Sequence, residues 1–281
     1  MLNFPSIKIF DSSFIALPQR AVYWLEEETL LVTDTHFGKS AAFRARGIPI
    51  PEGNTKDDLK RLSDALQLTQ AKKIIFLGDL IHHRASKTPE VLALLRDWFK
   101  ANESVEFTLL LGNHDISSDG VPEFPQIKVM HELILRDKFL LKHYPEPREG
   151  YFVLCGHLHP GITLKGRGRE RLRLGCSLFS KKMAVLQAFG SFTGNAKAEI
   201  QAGDTVFMAH DGEVFYSQVL KHHFLVYLHV KKRKFQVNAQ RELQKQKSIH
   251  RRLQGNGWLG NHPQSYFKWL HKSASRRQRR S

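Results

Sequence analysis

Residues 30–36 read Leu30-Leu-Val-Thr-Asp34-Thr-His36, a short apolar run that stops at two side chains able to bind a metal. A run of this length bounded by polar turn residues is the pattern of a strand covered on both faces. The pattern returns three times. Ile74-Ile-Phe-Leu77 runs into Gly78-Asp79-Leu-Ile-His82, and Phe107-Thr-Leu-Leu-Leu111 runs into Gly112-Asn113-His114-Asp115. Tyr151-Phe-Val-Leu-Cys155 runs into Gly156-His157-Leu-His159. In open α/β sheets ligands gather at the carboxyl ends of strands, so four such endings point to one site. The glycines at 78, 112 and 156 are expected to let the chain turn sharply and to leave space beside the ligands that follow.

Helices separate the first three strands. Leu59, Leu62 and Leu66 line one face of a helix that begins near Thr55, with Asp58 three residues on in a capping-box-like position. Thr88 as N-cap and Pro89 as first helical residue predict a second helix carrying Val91, Leu92, Leu95, Trp98 and Phe99. Beyond residue 125 the helical period fades, and short strands with Gly-rich turns take over, as at Gly166-Arg-Gly-Arg169. The order βαβαβ followed by a mostly β half predicts an α/β (α+β) fold, with sheets packed together and helices outside.

The chain has 281 residues, 41 % hydrophobic and 25 % charged, which excludes a disordered chain and gives ample length for a core. No apolar run approaches the roughly 20 residues of a membrane-spanning helix. The start lacks the order of a secretory signal, and two cysteines, Cys155 and Cys176, are too few for a disulfide framework. A soluble, reduced, cytoplasmic protein is expected, with Cys155 in the core. The net charge of +16 is unevenly spread. Residues 1–217 hold 27 Lys+Arg against 26 Asp+Glu, whereas residues 218–281 hold 16 against the single acid Glu242. The expected organisation is a near-neutral body, 1–217, and a basic, partly disordered C-terminal extension, 218–281.

Imidazole and carboxylate together suit Mn, Fe or Zn, whereas dedicated Mg or Ca sites favour oxygen alone. Two divalent ions about 3.5–4 Å apart can clamp the attacking and leaving oxygens of an in-line phosphoryl displacement, and a carboxylate can bridge them. With no thiolate cluster, a structural zinc site is not expected.

D-x-H, G-D-x-x-H, G-N-H-D and G-H-x-H in this order resemble the calcineurin-like metallophosphoesterase superfamily, over roughly residues 28–160. The resemblance implies a four-layer αββα sandwich, two mixed sheets flanked by helices. It implies that Asp34, His36 and His159 hold a first metal, that Asp79 bridges, and that Asn113, His143 and His157 hold a second. His143, in Leu141-Lys-His-Tyr-Pro145, has the least signal of its own. His114 would be the general acid beside the leaving group, with Asp115 orienting its imidazole. His36-Phe-Gly-Lys-Ser-Ala-Ala-Phe-Arg-Ala-Arg-Gly-Ile-Pro-Ile-Pro-Glu-Gly53 and Ala188-Phe-Gly-Ser-Phe-Thr-Gly194 resemble the PdeM group, ligase-associated DNA damage response endonucleases related to SbcD-type phosphoesterases. That resemblance implies manganese-dependent phosphodiesterase or endonuclease activity, with iron, zinc or magnesium as alternative ions. It also implies a DNA ligase and a helicase as functional neighbours. The extension departs from it, since such proteins typically end near where residue 217 falls here.

Other residues carry open alternatives. His82 or His83 contacts substrate, or the pair is turn surface; His131 and His210 fit no motif and read as structural. Lys39, Arg44 and Arg46, on a Gly/Pro-punctuated loop, contact substrate phosphate or are solvated. Arg167, Arg169, Arg171 and Arg173 alternate along a hairpin and share one face, for phosphate or for solvent. In the extension, Phe224, Tyr227, Phe235, Trp258, Tyr266, Phe267 and Trp269 interleave with cations, as single-stranded nucleic-acid binders do, or the segment is a polyanion-binding tail ending in Arg276-Arg-Gln-Arg-Arg280.

The leading functional expectation is a two-metal phosphodiesterase or endonuclease acting on nucleic acid in DNA repair, with activated hydroxide attacking phosphorus and His114 protonating the leaving oxygen. A small-molecule phosphodiesterase or phosphomonoesterase is the alternative. A non-catalytic scaffold on this fold would show degraded motifs, and here every motif position is filled.

Overall fold

The apolar runs at 30–33 and 74–77 become adjacent parallel strands whose successive side chains enter two different cores. Leu30, Val32, Ile74 and Phe76 pack on one side and Leu31, Ile75 and Leu77 on the other, all nearly or wholly buried. Both faces being covered explains why these strands lack an alternating pattern. The computed structural model describes residues 2–48, 50, 53–117, 120–165, 171–220 and 223–228.

The first sheet has seven strands in chain order: β1 Ser6–Ile9, β2 Ser12–Ala16, β3 Val22–Trp24, β4 Thr29–Val32, β5 Lys73–Phe76, β6 Glu106–Leu110 and β7 Ile127–Met130. It is antiparallel from β1 to β4 and parallel from β4 to β7. The parallel pairs need crossovers. Helices α1 Lys39–Ala45 and α2 Asn54–Thr69 connect β4 to β5, and α3 Pro89–Ala101 connects β5 to β6. A short α4, Asn113–Ser117, follows β6.

Leu59, Leu62, Leu66, Val91, Leu95, Trp98 and Phe99 bury the inner faces of α2 and α3 on this sheet. Thr88 caps α3 as expected, its hydroxyl accepting from the Val91 N–H at 3.3 Å. The capping-box expectation at Thr55 is corrected. Gly53 is the N-cap of α2, with a left-handed φ of 102°. The Thr55 hydroxyl accepts from the Gly38 N–H at 3.0 Å. Asp58 accepts from Arg61 at 2.7 Å and from the Ser191 N–H at 3.2 Å, so both polar groups serve tertiary contacts.

The second sheet has eight strands: β8 Glu132–Leu135, β9 Phe139–Lys142, β10 Phe152–Cys155, β13 Ser177–Phe179, β14 Met183–Val185, β16 Thr205–His210, β17 Glu213–Leu220 and β18 His223–Leu228. Their spatial order is β18-β17-β16-β13-β14-β10-β9-β8, with β10 parallel to both β9 and β14 and the other pairs antiparallel. The two sheets meet through Phe14, Trp24, Leu31 and Ile75 on one side and Phe139, Phe152, Leu154 and Phe207 on the other. Trp24 and Phe139, 4.7 Å apart edge to face, lie at this seam.

A third sheet of three strands, β11 Pro160–Lys165, β12 Arg171–Gly175 and β15 Ala196–Lys197, lays Ile162 and Leu174 over Cys176, Leu178, Val206 and Met208. The α/β fold of two mixed sheets is therefore present, with α2 and α3 outside the first sheet and the small sheet outside the second. The second sheet runs past residue 217 to Leu228, and one compact unit spans Met1–His229. Arg167, Arg169 and the extension from residue 229, with Phe235, Trp258, Tyr266, Phe267 and Trp269, lie outside the described residues, as do the side chains of Phe224 and Tyr227.

Candidate metal centre

The four expected strand endings converge, β4 delivering Asp34 and His36, β5 Asp79, β6 Asn113 and His114, and β10 His157 and His159. Strand β9 adds His143. Backbone bonds lock the endings together: Asp34 N–H donates to Gly78 O at 3.1 Å, His36 N–H to Asp79 O at 3.0 Å, and Gly156 N–H to His143 O at 3.1 Å. Five of these residues have left-handed backbones: Asp34 (φ 51°), His36 (47°), Asp79 (55°), His157 (70°) and His159 (45°). For a residue with a Cβ this costs about 1–2 kcal/mol each, and such strain gathers where side-chain direction matters more than stability.

Gly78, Gly112 and Gly156 make room, though for side chains from other strands rather than for the residue that follows each of them; on Gly156 a Cβ would strike the Thr33 hydroxyl and Asp34. A Cβ on Gly78, itself at φ 89°, would strike the His143 ring, and one on Gly112 would strike the Asp79 carboxylate.

Among the described residues, three groups of donors lie within 4.8 Å of one another: Asp34, His36 and His159; Asp34, Asp79 and His143; and His36, His82 and His114. The first is the trio expected for one metal. Around His143, the other expected residues assemble: its Nε2 is 3.5 Å from Asp79 Oδ2, 3.2 Å from Asn113 Oδ1 and 3.1 Å from His157 Nδ1. His143 Nδ1 lies 2.8 Å from the Leu77 carbonyl oxygen, so it carries the proton and leaves Nε2 with its lone pair facing the cluster. Asp79 Oδ2 is also 3.8 Å from His36 Nε2 and 3.9 Å from His114 Nε2. It thus stands between the donor sets.

These residues fit divalent cations. Asp34 Oδ1 is buried and receives no hydrogen bond, although His159 Nε2 is 3.1 Å away. His36 Nδ1 and His82 Nδ1 are buried without partners as well. Burial pushes the Asp79 carboxyl up to about 6, and the neighbouring Asp34 charge adds to this against the hydrogen bond from His114 N–H. Burial and the Lys39 charge hold His36 far below the ordinary imidazole range. For His159, the lowering by burial is outweighed by the Asp34 carboxylate 3.1 Å away, and its pKa rises. Unpaired lone pairs and crowded carboxylates are what a cation satisfies. The donors are imidazole, carboxylate and amide; the Cys155 and Cys176 thiols, pushed up to about 12 by burial, belong to none of the groups.

Asp115 departs from expectation. It does not orient the His114 ring: His114 Nδ1 lies 2.6 Å from the His82 carbonyl oxygen. The Asp115 carboxylate instead accepts the backbone N–H groups of Asp79 at 2.7 Å, Leu80 at 2.9 Å and Gly112 at 2.9 Å. It fastens the Asp79 loop to the start of α4. Asp115→Ala would leave three buried donors unsatisfied at about 1 kcal/mol or more each, and we expect a loss on the order of 3 kcal/mol, read as a lowered urea midpoint.

The His82/His83 alternative separates. His83 is exposed and accepts from the Ala85 N–H at 3.2 Å. His82 turns inward, stacked 4.9 Å from His114 and edge to face 5.1 Å from His36, and burial, with the Lys39 charge, pushes its pKa down to about 3. The expected loop at Lys39, Arg44 and Arg46 is helix α1, formed by the good helix formers between Gly38 and Gly47. Lys39 is partly buried and lines a small cavity with His36, Asn54 and Phe192; burial lowers its pKa, with Asp34 and Asp79 opposing. Arg44 reaches the Ile50 carbonyl at 3.5 Å, and Arg46 is exposed at the helix end. His131 is exposed, and His210 pairs with Asp211 at 3.3 Å. Sequence reasoning passed over Thr33, whose hydroxyl donates to Asp34 Oδ2 at 2.7 Å; a threonine ending a strand gives no signal of that role.

The sequence profile of the calcineurin-like phosphoesterase family matches residues 28–223. Among solved structures, the nuclease MPE of Pseudomonas putida is 32 % identical, with a TM-score of 0.65, over 74 % of this chain and 97 % of that one. A protein of unknown function from Aquifex aeolicus, AQ665, is 18 % identical with a TM-score of 0.31, covering 50 % of this chain and 82 % of its own. YfcE, a phosphoesterase from E. coli, is 12 % identical with a TM-score of 0.32, covering 71 % and 98 %. The last two are too distant to support an inference. No curated protein matches significantly.

Proposed function

This chain belongs to the calcineurin-like phosphoesterase family, and from that premise we propose that it is a two-metal phosphodiesterase acting on nucleic acid, with a role in DNA repair. The position of Asp79 Oδ2, 3.5 Å from His143 Nε2 and 3.8 Å from His36 Nε2, carries the two-metal reading. The likeness to a protein described as a nuclease supports the substrate. Asp34, His36 and His159 would hold one ion, Asn113, His143 and His157 the other, and Asp79 would serve both. Two divalent cations, manganese in the first instance, supply charge that clamps the attacking and leaving oxygens at phosphorus.

The chain's own groups do the rest. The His82 carbonyl accepts from His114 Nδ1, so in the imidazolium form it is Nε2 that gives its proton to the leaving oxygen, leaving the neutral ring protonated on Nδ1. The His114 side chain is one-third exposed, open to a substrate. His82 packs against that ring, and Lys39 brings a cation to the edge of the cluster. No helix among the described residues is long and apolar enough to cross a membrane. We place the protein in the cytoplasm with a DNA ligase and a helicase as functional neighbours, a reading that rests on the PdeM-like segments.

An assay with added manganese tests the substrate. Single- or double-stranded DNA and bis-p-nitrophenyl phosphate should be cleaved, and p-nitrophenyl phosphate much less. Turnover of the monoester alone would overturn the reading.

The basic extension should bind DNA without serving the chemistry. Because β17 and β18 continue to Leu228, the cut belongs after Leu228 and not after Ser217. Residues 229–281 hold 15 Lys+Arg against Glu242. Their removal should leave hydrolysis of a small phosphodiester near the parental rate. DNA affinity should fall by about tenfold or more at 50 mM salt, and the slope of log K against log salt should flatten by about 0.9 per lost contact on duplex. Parallel slopes in filter binding at three salt concentrations would show that the extension does not touch DNA.

A further inference from the structure

We propose that the solvent face of the three-stranded sheet is a track for the phosphate backbone of the nucleic-acid substrate, running from the metal centre out to Arg171; this rests on the nucleic-acid reading above. Strand β11 begins at Pro160, the residue after His159, and β15 is tied to the same point by the Ala196 N–H, which donates to the His159 carbonyl at 2.8 Å. The sheet is thus a direct continuation of one ending of the cluster.

The register sorts its side chains. Ile162 lies opposite Leu174, and both are buried against the second sheet. Thr163 lies opposite Arg173, Lys165 opposite Arg171, and Gly161 beside Lys197. Successive residues of a strand alternate faces and partners across a pair share one. Arg171, Arg173 and Lys197 are therefore on the face away from the core, and all three are exposed. Arg173 gives one donor to the Asn195 carbonyl, which fixes the guanidinium on that face.

Strands β11, β12 and β15 contain no Asp or Glu; in the sequence Glu170 directly precedes Arg171, and Glu199 lies two residues past Lys197. The outward positions of these strands thus carry three exposed cations and no acid. Charge of that sign suits a polyanion lying along the face. Planar guanidinium groups and a lysine at strand spacing suit phosphate oxygens and read no bases.

The geometry sets a reach. At about 3.3 Å per residue, Thr163 and Arg173 lie about 13 Å along the strand from His159, and Arg171 about 20 Å. One DNA strand advances about 3.4 Å per nucleotide. The arginines therefore meet phosphates roughly four to six positions from the scissile one. A di- or trinucleotide does not extend that far.

The test compares the full chain with Arg171→Ala and with the double variant Arg171→Ala/Arg173→Ala; the single variant keeps the Arg173–Asn195 bond. Metal content and thermal midpoint are measured alongside. We expect hydrolysis of bis-p-nitrophenyl phosphate and of a trinucleotide to stay within about twofold. Affinity for a 30-mer duplex should fall about tenfold per lost contact at 50 mM salt, and the salt slope should flatten by about 0.9 per arginine. A wild-type chain that binds the 30-mer, with variants of equal affinity and slope, overturns the track alone. Equal losses on trinucleotide and 30-mer also overturn it, since the arginines would then act at the metal centre. A wild-type chain that hydrolyses bis-p-nitrophenyl phosphate but neither binds nor cleaves DNA overturns the nucleic-acid reading, and the track with it.

Discussion

Asp79→Asn should empty both metal sites and reduce hydrolysis by more than about three decades, because a shared Lewis-acid clamp is worth several kcal/mol at the transition state. The substitution keeps the size of the side chain. The backbone N–H of His114 donates to Asp79 Oδ1 at 2.9 Å, and the asparagine oxygen can keep that bond. The amide nitrogen then replaces Oδ2, the atom facing His36, His143 and His114, and puts N–H donors where lone pairs must converge. The fold should not suffer. Burial already holds the Asp79 carboxyl up to about 6 in the metal-free chain, so a neutral side chain there removes an unfavourable charge. The metal-free variant should therefore melt no lower than the metal-free parent. Elemental analysis decides the case: two ions retained per chain would sink the shared-carboxylate assignment, whatever the activity.

The core strands were legible because of how they are covered. Leu30 and Val32 face the helices while Leu31 faces the second sheet, so every position of the run is apolar and the run stands out. The three antiparallel strands between Ser6 and Trp24 were not expected. They are three to five residues long, and wholly buried Ser12 opens the second, so neither a continuous run nor a clean alternation marks them. The metal-capable residues were readable as motifs, since each sits next to its strand end. Their left-handed backbones, and the glycines that clear space for side chains of other strands, depend on contacts between endings far apart in the chain.

Local strings misled where tertiary contacts compete with local ones. Thr55 and Asp58 have capping-box spacing, yet Gly38 and Ser191 claim them. Asp115 follows His114 and looks like its partner, but at a helix start adjacent residues point apart, and its carboxylate meets backbone donors of another loop. The neighbours His82 and His83 could not be told apart by type, and it is the turn at Arg84–Ser86 that aims one inward and leaves the other in solvent.

His114→Ala should separate chemistry from metal binding. The side chain leaves, but the His114 N–H that steadies Asp79 Oδ1 belongs to the backbone and stays. Asp79 should therefore keep its place, and both ions should remain. Nucleic-acid hydrolysis should fall by about two to four decades, the usual cost of losing a positioned proton donor. The loss should be smaller on bis-p-nitrophenyl phosphate, whose leaving group needs little protonation. Added imidazole should restore part of the rate on DNA, entering where the ring stood against the His82 carbonyl and beside the His82 ring. The competing assignment is visible in the same geometry, because His114 lies within 4.8 Å of His36 and His82, a grouping that could itself hold an ion. Metal content separates the two. If His114→Ala loses an ion and imidazole restores metal and rate together, His114 is a ligand; if both ions stay and imidazole restores only the rate, it is the acid.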